Sequence, residues 1–245
     1  MKKNQLQQFY SDIDKRTHLY KRNKKFQDFR RGIFNEMAKT GYAYNFFWLG
    51  IPVIQLPQDL QALQEIIWKT KPDLIIETGI AWGGSVVFSA SMLELLGRGK
   101  VVGIDIDIRK HNRNAIENHK MSKRIELIEG SSVSRDVIER VRKIAKRHKK
   151  ILVCLDSNHT HSHVLAELEA YAPLVSIGSY CMVGDTAVED VPVGRFSDRP
   201  WGKGNNPKTA VEEFLKKNKN FKIDKKIESK LVFTGSPGGY LKRIK

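Results

Sequence analysis

The sequence predicts an α/β fold in which helices cover both faces of a mainly parallel sheet. Three observations carry that expectation. Short apolar runs near residues 73–78, 100–107, 124–130, 150–157 and 179–186 alternate with helix-like segments, as strands joined by crossover helices do. The first run ends in a carboxylate and a glycine-rich turn, Glu77-Thr-Gly79-Ile-Ala-Trp-Gly83-Gly84-Ser85. The second run ends in Asp105 and Asp107, and acids at that place in a doubly wound sheet sit where a ribose binds.

In chain order, residues 1–50 read as a helical, basic and aromatic-rich extension, and 51–245 as one catalytic-type domain. The extension closes on Tyr42-Ala-Tyr44-Asn-Phe46-Phe47-Trp48, a cluster dense enough for core or a subunit interface. Pro57 and Asp59 open an amphipathic helix whose Leu60, Leu63, Ile66 and Ile67 share one face, and Lys71-Pro72 breaks it. After the fifth strand come a long polar loop (187–208), a helix near 209–218, and two closing strands expected at 221–227 and from 231 to 234 onward. Together these make a seven-stranded sheet. A loop that long in a compact domain is functional or disordered.

Glycine tolerates positive φ and carries no Cβ, so Gly79 and Gly83 suit a turn pressed against a ligand. The spacing E-x-G-x-x-x-G-G differs from the dinucleotide fingerprint G-x-G-x-x-G. Asp105, first after the apolar run, is placed to accept hydrogen bonds from both ribose hydroxyls, while Asp107 is read as the cap of a helix starting near Arg109. The third strand ends in Glu129-Gly130-Ser131-Ser132, whose small polar groups suit the edge of a base.

The fourth strand delivers Asp156 to the same edge, followed by Ser157-Asn-His159-Thr-His161-Ser-His163. Asp185 ends the fifth. Two carboxylates at adjoining strand ends suit Mg²⁺ better than zinc, and a histidine beside them can deprotonate a hydroxyl that the metal acidifies. His159, nearest Asp156 on the turn, is the expected general base. His161 is expected to face solvent, and His163 to pack or hydrogen-bond against a neighbouring loop instead of binding metal.

The formal net charge is +16. It concentrates in residues 2–31 and in Arg140, Arg142, Lys143, Lys146, Arg147, Lys149 and Lys150. The second group reads as a solvated helix face with cations at a carboxyl end. Neither an aromatic-interleaved nucleic-acid platform nor a zinc-finger spacing accompanies it, so no nucleic-acid partner is expected. No apolar run approaches a membrane span. Cys154 and Cys181, the only cysteines, lie in strand patterns and read as buried thiols of a reducing cytoplasm.

From Tyr44 to Thr186 the chain resembles the cephalosporin hydroxylase family, whose members include O-methyltransferases that use S-adenosylmethionine (SAM). The matching pieces are Trp48-Leu-Gly-Ile-Pro52, Pro57-Gln-Asp59-Leu, Lys71-Pro-Asp-Leu-Ile-Ile-Glu77-Thr-Gly79, Gly83-Gly84-Ser85, Gly103-Ile-Asp105-Ile-Asp107, Asp156-Ser-Asn-His159-Thr-His-Ser-His163-Val and Glu167-Leu-Glu-Ala-Tyr171-Ala-Pro-Leu-Val. The resemblance implies a class I methyltransferase (Rossmann-like) fold, SAM and a divalent metal, with Asp156 a metal ligand and His159 the base. Glu77, Gly79, Gly83, Ser85, Asp105, Gly130, Ser131 and Asp156 then border SAM, and Asp156 and Asp185 hold Mg²⁺. Where those relatives carry Glu-Asp this chain reads Gly184-Asp185, and Glu189 or Asp190 is the candidate substitute. The expected acceptor is a sugar hydroxyl, on a nucleotide-linked sugar destined for a surface polysaccharide or glycoside, in a cytoplasmic homo-oligomer. The rivals are methylation of a small phenolic or natural-product hydroxyl and a non-enzymatic SAM- or RNA-binding role.

Overall fold

The computed structural model describes residues 4–192, 194 and 197–245, without the side chains of Gln27 and Arg31. Two helices come first, α1 (Gln5–Arg22) and α2 (Lys24–Lys39). Asn4 forms a capping box with Gln7, and Asn23 accepts a hydrogen bond from the Phe26 amide, so amides left free at both helix starts find partners. A hairpin follows, β1 (Phe46–Trp48) paired antiparallel with β2 (Ile51–Val53). The division at 50/51 falls in its turn. The Trp48 ring packs edge-on against Phe88, 4.6 Å between centroids, and its Nε1 donates to Ser91.

The remaining elements are α3 (Pro57–Thr70), β3 (Leu74–Thr78), α4 (Gly84–Leu95), β4 (Lys100–Asp105), α5 (Lys110–Glu117), β5 (Ile125–Glu129), α6 (Arg135–Ala145), β6 (Ile151–Leu155), α7 (His161–Tyr171), β7 (Tyr180–Val183), α8 (Pro207–Lys217), β8 (Phe221–Ile223), α9 (Lys225–Leu231) and β9 (Tyr240–Arg243). The seven-stranded sheet runs β5-β4-β3-β6-β7-β9-β8. Its first five strands are parallel, and β9 is antiparallel to both neighbours.

Period-2 alternation divides the core. Leu74, Ile76, Val102 and Val153 pack with Val141 of α6, Leu168 of α7 and Phe214 of α8. Ile75, Val101 and Leu152 pack on the opposite face with Ile67 of α3, Phe88 of α4 and Ile116 of α5. Strand order reverses between β3 and β6, so a crevice opens beyond their carboxyl ends. Glu77 and Asp156 are delivered to that crevice.

Two sequence expectations are corrected. Residues 225–231, expected partly as strand, form α9. Asp224 accepts from the Lys226 amide at 3.1 Å and starts the helix, and the second closing strand waits until Tyr240. Asp107 caps nothing: α5 begins after Arg109 without a side-chain cap, and Asp107 lies 3.8 Å from the Arg109 guanidinium. The basic face of α6 is solvated as expected, with Arg135 paired to Glu139 and Arg140 to Glu126. Both cysteines are free, on adjoining strands. Among the described residues no helix is long and apolar enough to cross a membrane.

Candidate active site

The crevice is a cleft of about 460 Å³. Its first wall is the β3–α4 turn. Gly79 (φ +78°) stands where a Cβ would lie 2.2 Å from the Asp156 carbonyl, and a Cβ on Gly84 would lie 2.3 Å from the Pro52 carbonyl. These two glycines therefore serve close packing of the turn against β6 and β2. Gly83 (φ +92°) turns the chain into α4 against Ile116 and lies outside the cleft lining. Asp105 braces the turn, its Oδ2 accepting from the amides of Ile80 (2.9 Å) and Ala81 (3.1 Å).

Glu77, at the floor, is 3% exposed. Ser85 Oγ donates to its Oε1, while Oε2 is buried with no partner among the described residues. Burial pushes the carboxyl up to about 7, against a smaller opposing effect from the Ser85 hydrogen bond. An orphaned buried carboxylate oxygen facing a cleft marks a place for a cationic group.

Gly130 and Ser131 fall outside the lining of this cleft. The Gly130 amide donates to the Asp105 carbonyl, and a Cβ there would press on Val137. Ser132 is the buried member of that loop. Its Oγ lies 3.0 Å from His163 Nε2, so His163 does hydrogen-bond to a neighbouring loop. The same nitrogen is 3.1 Å from Ser157 Oγ, which donates to the fully buried Glu167.

Asp156, His159 and Asp185 converge in the same cleft, one donor atom of each lying within 4.8 Å of the others. His159 Nε2 is 3.3 Å from Asp185 Oδ2, and its ring meets Trp201 edge-on at 4.8 Å. Burial raises the Asp156 carboxyl well above the ordinary range, and the Asp185 charge adds to this. Two carboxylates and an imidazole make a donor set for a divalent cation, which would also reverse that unfavourable burial. Asp185 adopts a left-handed conformation (φ +49°) that turns its side chain to the cluster.

Gly184 has a steric reason. A Cβ there would lie 2.1 Å from Asp156 Oδ1, so the Asp156 carboxylate fills the space a side chain at 184 would take. Neither candidate substitute reaches the cluster. Glu189 accepts from the Gly204 amide and from Asn206, fastening the 202–206 turn, and Asp190 pairs with Lys208. His161 does not face solvent freely: Nδ1 meets Thr209 at 2.8 Å and Nε2 meets Glu213 at 3.1 Å, which ties α7 to α8. Both partners lie near residue 210, too far along the chain for local spacing to reveal.

Asp59 is a site residue that sequence reasoning read only as a helix opener. It is buried, accepts from Thr234 Oγ1, Tyr240 OH and the Gly235 amide, and lines the cleft. Burial raises its carboxyl despite those three hydrogen bonds. The acid in the first turn after Pro57 was the available signal. Phe34, Met37 and Ala38 of α2 also line the cleft, so the amino-terminal extension is part of its wall. In the 187–208 loop, Val193, Arg195 and Phe196 lie outside the described residues.

A glycine turn braced by an acid on the next strand, at the reversal of a seven-stranded sheet whose β9 is inserted antiparallel between β7 and β8, defines a class I methyltransferase fold. The comparisons with known proteins agree. The family model "Rhamnosyl O-methyltransferase/CmcI" matches residues 40–244, and the chain belongs to that family of SAM-dependent O-methyltransferases. A rhamnosyl O-methyltransferase of Mycobacterium tuberculosis is 30% identical over 220 residues, covering 89% of this chain and 84% of that protein. The Mycobacterium leprae protein of the same description is 30% identical over 200 residues, covering 80% and 82%. Among solved structures, CmcI with Mg and SAM superposes with a TM-score of 0.57 at 16% identity, covering 82% of this chain and 78% of that one.

Proposed function

We propose that this chain transfers the methyl group of SAM to a sugar hydroxyl. The observation that carries the reading is what one cleft brings together: an orphaned buried carboxylate, Glu77, and the Asp156–His159–Asp185 cluster on the adjoining strand ends. The relatives' printed activity as rhamnosyl O-methyltransferases supports the sugar.

Glu77 receives the ammonium of the methionine part of SAM, and the backbone of 79–85 borders its carboxylate. Asp105 accepts from the ribose hydroxyls through Oδ1 while Oδ2 keeps the turn in place. A cation held by Asp156 and Asp185 would supply Lewis-acid lowering of the acceptor hydroxyl's pKa. His159 takes the proton, and the Asp185 charge beside it steadies the resulting imidazolium. The hydroxyl oxygen attacks the methyl carbon in line as the carbon–sulfur bond breaks, leaving a neutral thioether. Holding both reactants at attack distance supplies much of the rate.

A net charge of +16 would suit an anionic carrier such as a nucleotide diphosphate. The cleft does not repeat that charge: its lining has Asp59, Glu77, Asp105, Asp156 and Asp185 and, among the described residues, no Lys or Arg. Arg199 lies over the Trp201 ring and against Asp198, outside the cleft lining. The lining thus favours a sugar on a neutral carrier. Free thiols within adjoining sheet strands support a cytoplasmic setting, and exposed Phe47 and Leu49 on the hairpin support self-association.

The test is methyl transfer from SAM to rhamnosides, read by mass spectrometry with and without EDTA. Turnover should fall on chelation and return with Mg²⁺ or Mn²⁺. His159→Ala should cut the rate about 10²–10⁴-fold while Mn²⁺ binding, followed by its paramagnetic resonance, stays near normal. Loss of Mn²⁺ binding in that variant would make His159 a ligand instead of the base.

A further inference from the structure

Beside the main cleft lies a second cavity of about 290 Å³, between α2, the start of α8 and the 228–238 segment. The two cavities share Phe34 and Ala187 in their linings, so they adjoin. The second is close in volume to the smaller ligand pockets of proteins.

Its chemistry is specific. Among the described residues both lining cations are engaged: Arg30 donates to the Val232 carbonyl at 3.0 Å, and Lys208 pairs with Asp190 at 2.8 Å. With Glu228 the charges of the described lining residues cancel, two against two. The amide of Asn35 and the carboxylate of Glu228 take no hydrogen bond from the described residues, and the aromatic residues Phe34 and Phe233 are part of the lining. An amide that donates and accepts, a carboxylate that accepts and aromatic side chains match a neutral polyol. They do not match a diphosphate, which needs uncommitted cations.

Building on the sugar O-methylation reading above, we propose that this cavity is a second acceptor subsite, taking the saccharide unit joined to the sugar that is methylated. The acceptor is then the end of a neutral saccharide chain, and α2 helps select it.

The experiment offers the full chain SAM with methyl rhamnoside, with a rhamnose-terminated disaccharide methyl glycoside, or with TDP-rhamnose, and measures kcat/KM by mass spectrometry. The disaccharide should exceed the monosaccharide by about tenfold, the worth of one modest subsite contact set. In Asn35→Ala and in Glu228→Gln that ratio should shrink toward one. Equal rates for disaccharide and monosaccharide, a preference for TDP-rhamnose, or a ratio untouched by both variants would each overturn the subsite. Transfer to none of the three would refute the sugar reading itself, and the subsite with it.

Discussion

Replacing Glu77 by glutamine separates the cost of burying this carboxylate from its use. The group's pKa lies at about 7 in the folded chain against 4.5 for the free side chain, a difference of about 2.5 units. At about 1.36 kcal/mol per unit this is about 3 kcal/mol. Because the folded value is the higher one, the folded chain holds the proton over a pH range where the unfolded chain has lost it. Below pH 4.5 both states are protonated and there is no penalty. Between 4.5 and 7 only the unfolded chain ionises, so stability falls as pH rises, and above 7 the full penalty stands. Glutamine keeps the shape and an oxygen for the Ser85 hydroxyl but never ionises. Ligand-free Glu77→Gln should therefore match the parent near pH 4 and exceed it by about 3 kcal/mol at pH 8 in urea unfolding followed by circular dichroism. SAM affinity should move the other way, since a charge-assisted hydrogen bond is worth about 1.5–3 kcal/mol. Binding to the parent should also release a proton below pH 7, visible in calorimetry across buffers of different ionisation enthalpy. A variant no more stable than the parent at pH 8, with SAM affinity unchanged, would refute this account of Glu77.

Gly184→Ala should displace the Asp156 carboxylate from its place 2.1 Å from the added Cβ, lowering stability by about 1–3 kcal/mol; Mn²⁺ titration should show weakened divalent binding. Asp105→Ala removes the brace on the Ile80 and Ala81 amides as well as the proposed ribose bonds, so SAM affinity by calorimetry should drop on the order of 2–3 kcal/mol. His161→Ala should lower the melting temperature by unfastening α7 from α8 while leaving turnover per folded molecule intact, which thermal unfolding and initial rates check together.

Most of the fold was legible because its signals are local. A strand buried on both faces needs an unbroken apolar run, as in Leu74-Ile-Ile, and a helix facing one layer needs the spacing of Leu60, Leu63, Ile66 and Ile67. The exception was 225–231, where Ile227 and Leu231 in a short charged segment fit neither period firmly and the Asp224 cap decided for helix. Asp156, His159 and Asp185 were also legible, because acids at strand ends share one edge once the sheet is parallel.

What stayed hidden depends on atoms distant in sequence. That Gly79 is spent on the Asp156 carbonyl, that Gly184 leaves room for the Asp156 side chain, and that Asp59 holds Gly235 are contacts across 77, 28 and 176 residues. The composition's positive charge gave no warning of a cleft lined with carboxylates, because net charge sums over a surface whereas a site depends on which side chains the packing turns inward. Patterning along the chain thus determined the sheet, its edge and the acids on it. The folded chain alone decided which glycines are pressed against protein, that His161 and His163 are tied to other segments, and that α2 completes the cleft, since each turns on separations of a few ångströms between segments with no common period.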